Sequence, residues 1–113
     1  MDMSVQSKFY RLLKEDIKTV EIRLFDEKRR LIKVGDIIRF CNLKNKEDYF
    51  MARVVYLHQA KHFRELPALF PIQKAGFSSK AEMLEALRKF YSFEAEEKFG
   101  VVGIEVKKIN SDA

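Results

Sequence analysis

Tryptophan is absent from this 113-residue chain, and cysteine occurs once, proline twice and glycine four times. A single cysteine forms neither an intrachain disulfide nor a multi-cysteine metal site. Cys41, between Phe40 and Asn42 in a strand-like stretch, is expected to be a buried, inert thiol. No apolar run approaches the ~18 residues that would span a bilayer, and no signal peptide precedes the first amphipathic stretch. Glycine-rich phosphate loops, nucleophile elbows and catalytic Cys/His pairings are missing too. His58 and His62 stand four apart, a spacing that unites ligands only on a helix; here it falls in strand-like sequence with no third ligand nearby. No metal, cofactor or membrane is therefore expected, and a cytoplasmic protein is the economical inference. The lack of tryptophan excludes nothing.

What is present argues for one domain over residues 1–113. Ten phenylalanines and 47% hydrophobic residues suffice for a globular core. The net charge of +5 is unevenly spread: the excess lies in residues 1–64, while residues 65–113 are nearly balanced. That polarity permits an anionic partner along the first half, although a solvated basic surface looks the same in sequence.

Along the chain, "SVQSKFYRLLKEDIK" places Val5, Phe9, Leu12, Leu13 and Ile17 at helical spacing. A strand follows, with Val20, Ile22 and Leu24 alternating with Glu21, Arg23 and Phe25. The charged excursion "DEKRRLIKVGD" ends in a turn at Gly35 and leads to a second strand, "DIIRFCN". A polar connector, "LKNKED", precedes a long, bent third strand, "YFMARVVYLHQAKHF". In that strand Phe50, Ala52, Val54 and Tyr56 are expected on one face. Both prolines fall in "RELPALFPIQKAGFSS", which reads as short helical turns. Ser79 and Glu82 fit a capping box before a helix carrying Met83, Leu84, Leu87, Phe90 and Tyr91. An acidic helical turn, "FEAEEKFG", with Glu94, Glu96 and Glu97 on a solvated face, leads to the last strand, "VVGIEVKKI", and a frayed "NSDA". The order helix, three strands, helices, strand predicts an α+β fold, a small mixed β-barrel with helices packed at its rim.

Chemistry concentrates in residues 18–30. Alternate strand residues share a face, so Glu21 and Arg23 are neighbours roughly 6 to 7 Å apart. Facing a cleft, Arg23 offers a rigid fork for phosphate or carboxylate, Glu21 accepts from a base amine or orients Arg23, and Lys18 is a mobile charge at the strand's mouth. Facing water, Glu21 and Arg23 would be a surface ion pair contributing about 0–1 kcal/mol. Lys28, Arg29 and Arg30 either track a nucleic-acid backbone, with a salt slope near −2 for three single-strand phosphates, or form a soluble turn. Tyr91 packs its ring and holds its hydroxyl towards a ligand, or packs alone.

These residues together resemble the activating signal cointegrator homology (ASCH) domain. The resemblance lies in Lys18-Thr19-Val20-Glu21-Ile22-Arg23, in "IKVGDIIRF" at 32–40 and in "FYSFEAEEKFGVVGIEV" at 90–106, and it spans nearly the whole chain. It looks like a stand-alone, bacterial-type member. The resemblance implies a PUA-like barrel whose cleft binds RNA or a nucleotide, lined by Lys18, Glu21 and Arg23 with Tyr91 close by. It also implies an alternative, because a bacterial subgroup hydrolyses the amide of N4-acetylcytidine with a lysine, a threonine and a glutamate, and other members cleave RNA. Lys18 matches that lysine, whereas Glu21 stands at the threonine's position and Gly76 near the glutamate's. In such an enzyme Lys18 and Glu21 would be the catalytic residues. Nothing in the sequence sets the oligomeric state.

Overall fold

The computed structural model describes residues 1–109; the expected frayed "NSDA" lies outside them. Five strands form one mixed sheet: β1 (Asp2–Val5), β2 (Val20–Leu24), β3 (Ile37–Asn42), β4 (Asn45–Ala60) and β5 (Val101–Lys108). Their order across the sheet is β1-β3-β4-β5-β2, with β1 parallel to β3 and the other pairs antiparallel. The helices are α1 (Ser7–Lys14), α2 (Lys80–Arg88) and α3 (Phe93–Phe99), with short 3-10 turns at Arg29–Leu31, Phe63–Ala68 and Ile72–Ala75. The sheet curls into a half-barrel, and its two end strands meet across a seam where Arg23 of β2 donates to the Ser4 carbonyl of β1. The expected α+β, barrel-like architecture with helices at its rim is the one observed. No helix among the described residues is long and apolar enough to cross a membrane.

The first element differs from expectation. The chain opens with a strand, not a helix: Met3 and Val5 are buried beside Phe40, and α1 begins only at Ser7. Val5 stands four residues before Phe9, so strand alternation there imitates helical spacing. The helix stops at Lys14, and Ile17, assigned to its apolar face, is exposed. Inside the curl, Tyr10 and Leu13 of α1 fill the space against Ile38, Phe40, Phe50, Ala52, Val54, Val102 and Ile104. The Tyr10 hydroxyl fixes the helix by donating to Asp48 at 2.8 Å.

The polar connector of the sequence reading is shorter than expected, because β4 starts at Asn45 and a tight turn at Leu43–Lys44 makes a hairpin. The bend in β4 is a register shift between Val54 and Tyr56. It inserts one residue and so reverses the faces. Tyr56, expected inward with Val54, is 56% exposed, and Leu57 packs on the core in its place.

A second core lies on the convex side of β2 and β5. Val20, Ile22 and Val101 pack there against Phe63, Leu66, Phe70, Phe77, Met83 and Leu87 from the turns and α2. Fully burying such a side chain contributes about 1.5–3 kcal/mol. Phe70 packs directly on β5 because residue 103 is glycine; a Cβ there would stand 2.8 Å from its ring. Ser79 caps α2 through the Glu82 amide, as the capping box predicts, but the Glu82 carboxylate reaches Ser78 instead. Glu96, expected on a solvated face, is buried: it accepts from the Phe63 amide at 2.8 Å and from Arg88 at 2.6 Å, tying α3 to the 63–68 turn.

Candidate functional site

Both faces of β2 are covered, so its alternation divides two cores. Val20, Ile22 and Leu24 serve the convex core. Glu21 and Arg23 stand opposite Ile104 and Val102 of β5 and therefore point into the curl, towards the seam. Lys18 enters the same space from the segment after α1, which reverses through Asp16 in a left-handed conformation.

The three charges meet there. Lys18 Nζ lies 2.8 Å from Glu21 Oε1, and Arg23 holds Glu21 Oε2 through Nε at 2.9 Å and Nη2 at 2.8 Å. Nη2 also donates to the Ser4 carbonyl at 2.9 Å. Lys18 is 4% exposed and Glu21 5%, so this is not the solvated ion pair that sequence left open. Lys18 Nζ also sits 4.4 Å from the centroid of the Phe9 ring, which favours the ammonium in a desolvated place. Burial alone would push the Glu21 carboxyl up; the charges and hydrogen bonds of Lys18 and Arg23 overcome this and hold it below the usual carboxylate range. Glu21 is therefore an ionised organiser of two cations, and the trio carries a net charge of one positive.

The trio forms the polar floor of a cavity of about 230 Å³ in the seam. Its walls are Phe9, Phe77, Leu87 and Tyr91, with Leu43 and Phe90 at its edge, both more than half exposed. Pockets for drug-sized ligands run from about 300 Å³ upward, so this one suits a single planar group. Burial pushes the Tyr91 phenol up, Arg23 pulls it down and Glu21 raises it again, which places Tyr91 in the field of the trio. Among the described residues, Lys18 Nζ has no acceptor besides Glu21, and Arg23 Nη1 has none. The floor thus has N–H donors to spare.

Lys28, Arg29 and Arg30 do not line this cavity. Lys28 is exposed. Arg29 pairs with Asp26 at 3.2 Å, and Arg30 stacks on Phe25 while donating to the Phe99 carbonyl at 3.0 Å. Arg30 borders a separate, broader depression with Lys61, His62 and Lys98. Sequence reading missed Phe9 and Phe77 as site residues, since their spacing signals only core. Gly76, placed by the resemblance near the amidohydrolase glutamate, lies against the Lys18 stem with a left-handed backbone (φ +87°): a Cβ there would be 3.3 Å from Lys18 Cδ, a contact the sequence did not signal. His58 is held by Glu105 at 2.8 Å, and among the described residues no three His, Cys, Asp or Glu side chains gather as a metal site.

The model of the ASCH domain matches residues 3–110. The chain belongs to the ASCH domain family. No curated protein matches it. Among solved structures it is similar to the hypothetical protein PH0355, at 36% identity and a TM-score of 0.84 over 96% of this chain and 97% of that one. It is similar to the protein PF0455 of Pyrococcus furiosus at 36% identity and a TM-score of 0.75, over 96% of both chains. An ASCH protein of Zymomonas mobilis shares the fold at 16% identity, with a TM-score of 0.57 over 98% of this chain and 73% of its own. The curled, mixed sheet with its rim helices is thus the ASCH, PUA-like fold.

Proposed function

We propose that this ASCH domain binds RNA by taking one nucleotide into the seam pocket. What carries the reading is a buried, net-positive trio with spare N–H donors facing a small aromatic cavity. Base carbonyls and phosphate oxygens are the acceptors that such a floor matches, and the rings of Phe9, Phe77 and Tyr91 suit a base's flat faces. Arg23 Nη1 and Lys18 Nζ make the direct contacts, and Glu21 fixes both. Lys28, Arg29 and Arg30 add charge outside the pocket, so replacing Lys28 with Gln lowers the salt slope by about 0.7 and leaves base preference unchanged.

Binding has more support than hydrolysis of an N4-acylated cytidine or of RNA. A carboxylate held below its usual range, with both oxygens engaged, is a poor general base near neutral pH. Gly76 supplies no second carboxylate, and its left-handed backbone, with a Cβ position only 3.3 Å from Lys18 Cδ, disfavours a side chain there.

The test is fluorescence anisotropy with short labelled single-stranded RNAs at low salt, alongside chromatography of N4-acetylcytidine incubated with the protein. Wild type is expected to bind without turnover. Arg23→Ala should weaken binding by roughly tenfold or more, the loss expected for a hydrogen bond from a charged group. Unchanged affinity in Arg23→Ala would remove the site assignment, and turnover abolished by Lys18→Ala would favour the hydrolase.

A further inference from the structure

Resting on that reading, we infer that the segment Phe90–Phe93 is a stacking platform for nucleotides flanking the pocketed one. The ligand is then a single strand of several nucleotides, not a free nucleoside.

This segment runs from the end of α2 into α3 and turns its aromatic rings to different places. Tyr91 faces the pocket and packs on Phe63 at 5.6 Å. Phe90 stands at the pocket's edge, 55% exposed, with its ring centroid 6.4 Å from that of Tyr91. Phe93 lies outside the pocket and is 70% exposed. Its ring is nevertheless backed: the Arg88 guanidinium lies 3.6 Å from the ring centroid. Arg88 is itself fixed by the Tyr91 carbonyl at 3.1 Å and Glu96 at 2.6 Å. The result is an aromatic plate braced by a pinned cation on one side and left open to solvent.

Two large exposed rings within four residues gain the fold little, since burial is what an aromatic side chain contributes. Phe90 stands at the edge of a pocket sized for one planar group, and Phe93 is tied to pocket-lining Tyr91 through Arg88, which stacks on the Phe93 ring and donates to the Tyr91 carbonyl. Bases stack on aromatic side chains irrespective of sequence, and cations beside the rings favour the phosphates between them. Exposed Lys89 supplies that charge, while Arg88, paired with Glu96, braces the ring. Exposed Glu94 follows Phe93 directly, so the base, not the phosphate, turns towards that end.

The experiment compares uridine monophosphate, homopolymeric pentamers of U, C and A, and a duplex, by calorimetry on wild type, Phe90→Ala, Phe93→Ala and Phe93→Trp. Wild type should bind its preferred pentamer at least tenfold more tightly than the monophosphate or the duplex. Phe93→Ala should lose roughly 5- to 100-fold on the pentamer and nothing on the monophosphate, with Phe93→Trp restoring it. Phe90→Ala should weaken the pentamer more than the monophosphate. Equal affinity for monophosphate and pentamer, or a Phe93→Ala variant that binds the pentamer as wild type does, overturns the platform while leaving the pocket standing. Failure to bind either ligand overturns both. A change in self-association with RNA affinity intact assigns the rings to a protein interface and overturns the platform as well.

Discussion

Replacing Glu21 with Gln keeps the shape of the side chain and removes the charge that holds two cations together. The structure sets the size of the effect. Oε1 serves Lys18 and Oε2 serves both Arg23 donors, so either orientation of the new amide turns an NH2 towards a cation. One buried cation then loses its acceptor, and two like charges share the pocket floor uncompensated. Breaking a buried ion pair in this way costs about 3–5 kcal/mol. Against a total stability of about 5–15 kcal/mol, that is from about a fifth to all of what holds such a domain folded. For a chain of this length it corresponds to a Tm lowered by roughly 12–20 °C. Thermal unfolding followed by circular dichroism at pH 7 measures it. The matched control is Lys18→Met, Glu21→Leu and Arg23→Met together, which removes the charges as a set. Buried ionic groups replaced by apolar ones of similar volume are often neutral or better for stability. The triple variant should therefore recover to within about 1–2 kcal/mol of wild type while binding no RNA. A Glu21→Gln variant melting within 2 °C of wild type, or a triple variant melting below it, would refute the reasoning.

Three further outcomes follow from the same geometry. The folded Glu21 carboxyl titrates below its ordinary value of 4.5, so its contribution to stability is present above that pH and is lost as pH falls through the lowered value. The stability gap between wild type and Glu21→Gln should accordingly close on acidification below pH 4.5 in urea titrations, and a constant gap would contradict the assigned charge state. Gly103→Ala should cost about 1–3 kcal/mol by pushing Phe70 off β5, read as a lower urea midpoint with unchanged slope. Gly76→Ala strains a left-handed residue by about 1–2 kcal/mol and crowds the Lys18 stem, so RNA affinity should fall along with Tm, whereas Gly103→Ala should leave affinity intact once folded.

Much of this was legible in the sequence because it is local. The alternation of Val20 to Leu24 put Glu21 and Arg23 on one face, and the run into Ser79 fixed where α2 begins. What alternation cannot say is which face looks inward when both are covered, and in β2 both are. Strand β1 was hidden for a different reason: it has four residues, its partner β3 lies more than thirty positions away, and Val5 falls in step with the helix that follows. The bulge in β4 carries no sequence signal, since Val55 is as good a strand residue as its neighbours. Arg30 read as a free cation because the Phe99 carbonyl meets it only through tertiary folding, whereas Arg29 is held locally by Asp26, three positions earlier, once the turn forms. Glu96 read as solvated because its partners, Phe63 and Arg88, come from two other elements.

The unpaired seam also bears on how selectivity would respond to mutation. Hydrogen bonds to β5 at Thr19 and Phe25 fix the phase of β2, so its odd-numbered residues bond to β5 and the peptide groups of Ile22 point the other way. Ile22 lines the pocket although its side chain belongs to the convex core. Main chain therefore offers a donor and an acceptor side by side beside a floor of cations. Any discrimination among bases made through that peptide survives every side-chain substitution at position 22 except proline, which removes the N–H. Alanine scanning would find the residues that grip and overlook the one that reads. Slowed amide exchange at Ile22 on adding ligand is the observation that would reveal it.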